Sequence, residues 1–257
     1  MDQSSERGNG LGVTLRATVA GVVAIGPGLF LVVVLAVAAF RPAPPDPAGV
    51  SPTVPVLLVP GWYQEAADLA PLAQRLHEAG WPTGWVQTIN FQDPVGSNED
   101  HAVEVAAAVE RVKAQTGARR VDLVAHSMGG LAVRWALSDE GVAASVRRAV
   151  FLGTPQRGTW VAYLAWGDGG QEMEPESEFL ARLNQQNPVP ETVEALTIRT
   201  PVDTYVVPGL NATLPGVADV EVCCPSHPGL VDNDNAFYVV HVFLRAGLGA
   251  VPEGAYP

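Results

Sequence analysis

The amino-acid sequence predicts an α/β protein: a doubly wound, mainly parallel sheet preceded by an apolar N-terminal helix. Three observations carry this. From residue 54 onward, strand and helix signals alternate. The strand signals are short, nearly continuous apolar runs, as parallel strands buried on both faces require. The residues with chemistry to offer fall just after strands, where open α/β sheets hold their ligands.

The elements follow in order. Val54 to Val59 is the first strand. Ala66 to Ala79 has helical spacing, with Leu69, Leu72 and Leu76 on one face. Trp85 to Ile89 reads as a strand. Asn98 to Gln115 predicts a helix capped by Asn98, with Val103, Ala107 and Val112 along a face. Arg120 to Ala125 is a strand and Met128 to Ser138 a helix. Arg148 to Leu152 is a strand, with Arg147-Arg148 as its solvated lead-in. Glu176 to Asn184 is a short helix within a longer irregular stretch. Ala195 to Arg199 and Val220 to Cys223 are strands, and Asn235 to Arg245 is the closing helix, with Phe237, Val240 and Leu244 inward. Parallel strands joined by helices imply right-handed crossovers.

The α/β domain is expected over residues 54–257, behind three other segments. Residues 1–16 read as a cytoplasmic tail. Ala17 to Phe40 carries no charge, and about 20 apolar residues suffice to cross a bilayer as a helix. It reads as an uncleaved signal anchor or as a signal peptide with a small-x-small site at Ala36-Val37-Ala38. Its length favours the anchor. Residues 41–53 are rich in proline and form a semi-rigid spacer. Both readings put the domain outside the cytoplasmic membrane: attached and facing outward, or secreted.

Composition excludes some partners. The net charge is -12, so nucleic acid, which needs clustered Lys and Arg, is not expected. The hydrophobic fraction of 47% is ample for a core even with the N-terminal block set aside. A monomer is expected. Cys223 and Cys224 are adjacent and cannot staple distant segments. Three readings stand: two small apolar residues ending a buried strand, a vicinal disulfide, or an intermolecular bridge. No Cys or His spacing suggests a metal, and no cofactor is implied.

The stretch Val121-Asp-Leu-Val-Ala-His-Ser-Met-Gly-Gly130 has the pattern of a nucleophile elbow, a tight strand-to-helix turn that exposes a serine. Small residues are needed two positions either side, and Ala125 and Gly129 flank Ser127. A serine hydroxyl needs a base, usually His, and a carboxylate to orient that base. Of five histidines, His77 and His101 precede the nucleophile and His241 lies in the closing helix. His126, adjacent to Ser127, is expected to point away from the site. His227 stands between the last strand and the last helix and is the candidate base. Asp203, one strand earlier, is the candidate acid. Asp219 opens the next strand and is weaker, while Asp232 and Asp234 read as helix caps. Oxyanion donors are expected from the N–H of Met128, at a helix start, and of Trp62, in the loop after the first strand. Pro60 has no N–H.

These segments resemble small α/β-hydrolase lipases and esterases, in particular secreted bacterial triacylglycerol lipases. The residues that carry the likeness are Val59-Pro-Gly-Trp62, Ala125-His-Ser-Met-Gly-Gly130, Leu152-Gly-Thr-Pro-Gln-Arg-Gly158, residues 173–184, Asp203 and Ser226-His-Pro-Gly-Leu230, over roughly residues 54–246. The family has His-Gly where this chain has Pro60-Gly61. The resemblance implies a minimal sheet of about six parallel strands, without the family's two leading antiparallel strands, and an acyl-enzyme on Ser127. Lipid or acyl esters would be the substrates. The same fold also serves acyltransferases and thioesterases, and a non-catalytic tethered binding module is the third reading. Residues 155–194 are long enough for a partial lid, with Trp160, Tyr163, Leu164 and Trp166 available to line an acyl pocket.

The two N-terminal readings separate by mass. An anchor leaves the intact chain in the membrane fraction. Cleavage after Ala38 leaves a soluble chain that N-terminal sequencing finds starting at Ala39.

Overall fold

The computed structural model describes residues 54–185 and 189–251. The tail, the apolar segment 17–40 and the proline-rich spacer lie outside the described residues. Among the described residues no helix is long and apolar enough to cross a membrane.

Six short strands form the sheet: β1 (Val56–Val59), β2 (Val86–Thr88), β3 (Val121–His126), β4 (Val146–Leu152), β5 (Glu194–Arg199) and β6 (Ala218–Glu221). All pairs are parallel, in the order β2-β1-β3-β4-β5-β6. The chain runs outward from β1 to β2, then returns to the other side of β1 and continues to β6. The direction therefore reverses between β1 and β3, and such switch points open a crevice at the carboxyl ends of the strands.

Side chains alternate across the sheet and fill two cores. Leu57, Val59, Leu123, Ala125 and Phe151 pack on α2 (Asn98–Thr116) and α3 (Gly129–Ala136). Val56, Leu58, Val124, Val150 and Ile198 pack on α1 (Ala70–Glu78) and on the last long helix, Asp234–Ala246. Both faces of β1 are thus apolar, which is why its sequence reads as an unbroken hydrophobic run, and β3 departs from one only at Asp122 and His126 near its two ends.

Details differ from the expectations above. The first helical segment begins as a tight 3-10 turn, Ala66–Leu69, with Pro71 in the opening turn of α1. Ser97 caps α2, its Oγ accepting from the Glu99 N–H at 3.1 Å, so Asn98 is not the cap. The buried face of α2 is Ala102, Val105, Val109 and Val112; Val103 and Ala107 face solvent. Both sets have helical spacing, and only packing against α3 and the sheet chooses between them. Asn233, not Asp232 or Asp234, caps the last helix by accepting from the Asn235 and Ala236 amides. Arg147 and Arg148 are not a solvated lead-in. They lie in β4, where Arg147 pairs with buried Asp122, Arg148 pairs with Glu194, and both donate to the Leu244 carbonyl. They tie the amino ends of the strands to the closing helix.

Short helices missed in the sequence fill the connections: α4 (Glu140–Ser145), the 3-10 turn Trp160–Leu164 and α5 (Gly167–Glu172). The expected helix near 176–184 is α6 (Glu178–Gln185), and Asp234–Ala246 is α7. Cys223 and Cys224 lie beyond the end of β6, partly exposed, and are joined to each other by a disulfide.

A Cβ on Gly129 would lie 2.2 Å from the Pro60 carbonyl oxygen, whereas one on Gly209 meets nothing within 4 Å. Gly129→Ala is expected to cost at least about 2 kcal/mol, as overpacked sites do. Its Tm should fall by roughly 4–8 °C for a domain of this size. Gly209→Ala should leave the thermal unfolding curve in place.

Candidate active site

The β3–α3 turn holds Ser127 at φ 52, in the left-handed region that a non-glycine residue adopts at a cost. Two hydrogen bonds hold it there: the Ser127 N–H donates to the Leu152 carbonyl at 2.8 Å, and the Gly130 N–H to the Ser127 carbonyl at 3.0 Å. Above the turn lies the loop after β1. A Cβ on Gly61 would stand 2.8 Å from the Ser127 Cβ, so only glycine lets the two backbones come this close. The amides around the turn are mostly engaged. Gly61 N–H donates to Gln64 Oε1 at 2.7 Å and Tyr63 N–H to the Pro94 carbonyl at 2.9 Å. Among the described residues, the Trp62 and Met128 amides have no acceptor.

Asp203 and His227 come from the loops after β5 and β6. Their side chains are 2% and 3% exposed, and His227 Nδ1 lies 2.8 Å from Asp203 Oδ2. Asp203 Oδ1 accepts the Tyr205 and Val206 amides, both at 2.8 Å. Burial alone would raise the Asp203 pKa. The hydrogen bond and charge of His227 and the two amides outweigh burial and hold the carboxyl below its ordinary value. An ionised carboxylate at Nδ1 fixes the proton there and leaves Nε2 as an acceptor. That Nε2 is buried and has no partner among the described residues. Tyr205 stacks on the His227 ring with centroids 5.0 Å apart, and Gly153 lies beneath it, where a Cβ would sit 3.0 Å from Nδ1. Thr200 Oγ1 donates to the Pro225 carbonyl at 2.8 Å and steadies the loop. Asp219 lies in β6 and pairs with Arg199 and Thr197, away from these groups.

A pocket of about 220 Å³ opens on Ser127. Trp62, Leu164, Trp166, Met173, Tyr205 and Val206 are among its walls. Besides Ser127 its side-chain polar groups are the Thr159 and Tyr205 hydroxyls and the Trp62 and Trp166 indole N–H groups; the Thr159 hydroxyl is engaged with the Tyr205 carbonyl at 2.7 Å and the Val207 N–H at 2.9 Å. Of the three aromatic residues expected here, Trp166 lines the pocket. Trp160 and Tyr163 do not; both are exposed. They lie three apart on a 3-10 turn, whose three-residue period puts both on one exposed face while Val161, Ala162 and Leu164 line the pocket. The sequence missed the Trp62 side chain, Met173, Tyr205 and Val206. The Trp62 indole N–H donates to the Trp166 carbonyl at 3.0 Å, which binds the β1 loop to the 160–166 segment.

His126 departs from expectation. Its ring does not turn away from the site but packs beside His227, centroids 4.8 Å apart. Burial, then the neighbouring His227, lowers its pKa to about 3. Behind the turn, buried Arg134 on α3 donates to Gln156 Oε1 at 3.1 Å and Asn184 Oδ1 at 2.9 Å. This ties the turn's helix to the loop after β4 and to α6. Among the described residues no cluster of three or more His, Cys, Asp or Glu is placed to hold a metal.

A family model described as alpha/beta hydrolase fold matches residues 54–182. Among solved structures, Aspergillus fumigatus lipase B is similar with a TM-score of 0.66 and 21% identity, over 74% of this chain and 52% of that one. This chain thus spans about half the length of the fungal lipase. The mature form of Bacillus licheniformis lipase BlEst2 is similar with a TM-score of 0.62 and 20% identity, over 78% of this chain and 94% of that one. A metagenomic carboxyl esterase is similar with a TM-score of 0.54 and 16% identity, over 70% of this chain and 66% of that one. At these identities the likeness is one of fold.

The Asp203 carboxyl has a folded pKa below its unfolded one. Its contribution to stability is therefore full above the unfolded value and is lost as pH falls through the folded value. Wild type should melt above Asp203→Asn at pH 7, and the gap should close on titration toward pH 3, as followed by thermal denaturation.

Proposed function

This chain belongs to the α/β-hydrolase fold family, and within it we propose that the chain is a serine ester hydrolase acting on apolar acyl esters. The observation that carries the proposal is the buried 2.8 Å contact of Asp203 and His227, whose Nε2 has no partner among the described residues and whose ring packs on His126, the residue before Ser127. Ser127 Oγ attacks the ester carbonyl as His227 Nε2 takes its proton. Asp203 keeps the ring in the required tautomer and stabilises the imidazolium. The carbonyl oxygen becomes an oxyanion, received by the Trp62 and Met128 N–H groups, which have no other acceptor to give up. The tetrahedral intermediate collapses, the C–O bond breaks, and the alcohol leaves with the proton from His227. Water then attacks the acyl-enzyme with His227 again as base, which releases the acid and restores Ser127.

The pocket supports the acyl class. Its lining is mainly aliphatic and aromatic, and the Thr159 hydroxyl and the Trp62 indole N–H are already hydrogen-bonded, so a charged acyl group entering it would lose water with few partners in return. Its volume of about 220 Å³ is roughly seven times the ~30 Å³ of one water-sized group. A chain of about six to eight carbons fills it. Met173 is buried against Leu131 and Phe179 and forms the floor, while Leu164 and Trp166 are exposed at the rim. For the location of the chain, the membrane-attached, outward-facing arrangement expected from Ala17 to Phe40 remains the proposal.

The test is hydrolysis of p-nitrophenyl esters from two to sixteen carbons by the full chain. Each buried methylene is worth about 0.8 kcal/mol, so kcat/KM should rise about fourfold per methylene and level off near eight carbons. Ser127→Ala should lower kcat by at least about 10⁴-fold. Hydrolysis that survives this substitution, or an absence of hydrolysis across the series, overturns the proposal. Faster turnover with an alcohol acceptor than with water makes the enzyme a transferase.

A further inference from the structure

His126 stands immediately before Ser127 on β3, and its ring reaches both loops that flank the serine. On one side Nδ1 lies 2.8 Å from Gln64 Oε1. That same oxygen accepts the Gly61 N–H at 2.7 Å, one residue before the unengaged Trp62 amide. On the other side Nε2 lies 3.1 Å from the His227 backbone carbonyl. The ring is buried, 2% exposed. An aliphatic side chain would fill this space without the cost of burying two ring nitrogens. The imidazole instead meets one acceptor from each loop. Burial keeps it neutral, so it carries one N–H, which goes to Gln64 Oε1 in one tautomer and to the His227 carbonyl in the other.

We infer that His126 is a positioning residue: with Gln64 it straps the loop of Gly61 and Trp62 to the loop of His227 and sets the spacing of oxyanion donors and base across Ser127. This rests on the assignment of Ser127 and His227 as nucleophile and base. Three parts must meet at one substrate carbon, and they come from loops after β1, β3 and β6. The β3 and β1 loops are pressed together at Gly61 and Gly129. The β6 loop is tied to them through His126.

The strap predicts a particular pattern in a double-mutant cycle on the full chain. His126→Phe keeps the ring volume but has no N–H. Its kcat should fall about 30- to 100-fold with KM changed less than twofold, since a small displacement of reacting groups costs about that much. Gln64→Ala, on the half-buried β1 loop, should lower kcat about tenfold, again with little change in KM. The double variant should be no worse than His126→Phe alone within about twofold, because both break the same link. Losses that multiply, or a His126→Phe enzyme within threefold of wild-type kcat, overturn the inference. If His126→Phe fails to fold, the Gln64→Ala result decides alone. A readout free of turnover is the NMR signal of the His227 ring. Gln64 has no hydrogen bond to His227, yet Gln64→Ala should shift that signal through the strap. An unchanged signal overturns the strap whether or not esters are hydrolysed. A shifted signal in a protein that hydrolyses no ester upholds the strap and removes the ester-hydrolase assignment.

Discussion

The close approach of two backbones, the loop after β1 and the turn after β3, is the constraint on which the rest of the site depends. Pro60 presents its carbonyl to Gly129 where a methyl group would sit 2.2 Å away, and Gly61 lies against the Ser127 side chain. The left-handed Ser127 costs on the order of 1–3 kcal/mol, a cost the surrounding packing must offset. Because the two loops touch, the Trp62 and Met128 amides, which have no acceptor among the described residues, belong to two segments packed directly against each other at Ser127. The sheet order makes this contact inevitable: β1 and β3 are neighbours, and the chain reverses direction between them.

Charge is arranged by depth. The chain is acidic overall, at -12, but its buried carboxylates Asp122 and Asp203 each have a side-chain partner. At the amino ends of the strands Arg147 and Arg148 meet Asp122, Glu194 and the Leu244 carbonyl in the last turn of α7. These contacts are structural, since a buried carboxylate without a partner would be costly. At the carboxyl ends Asp203 and His227 form a similar buried pair with one difference. His227 retains a ring nitrogen with no partner among the described residues. A buried acceptor left open is expensive for the fold, and it becomes useful when a proton has to be moved.

The insertion between β4 and β5 contributes shape more than chemistry. It supplies Leu164, Ala165, Trp166 and Met173 to the pocket and is tied to the β1 loop by the Trp62 indole hydrogen bond and to the start of α2 by Glu172, which accepts from Ser97 and Asn98. Rim aromatic residues Trp62, Tyr63 and Trp166 touch each other, with centroids 4.4 to 5.9 Å apart. Trp62, whose amide is the proposed oxyanion donor, thus also lines the pocket beside Ser127 and couples the β1 loop to the insertion.

By itself the sequence determined the parallel α/β plan, because strands buried on both faces must be continuously apolar and helices must be periodic. It also singled out the turn at Ser127, whose small neighbours reflect local sterics, and it put Asp203 and His227 on successive loops by chain order. Tertiary structure decided what depends on partners distant in sequence. It chose the buried face of α2 between two equally helical stripes. It took Trp160 and Tyr163 out of the pocket and brought in Met173, Tyr205 and Val206. It placed Arg147 and Arg148 in ion pairs and turned His126 toward His227, 101 residues away. Periodicity and local sterics are properties of a few adjacent residues and can be read along the chain. Which side chain meets which across the carboxyl edge of the sheet depends on strand order and loop course, and these exist only once the chain has folded.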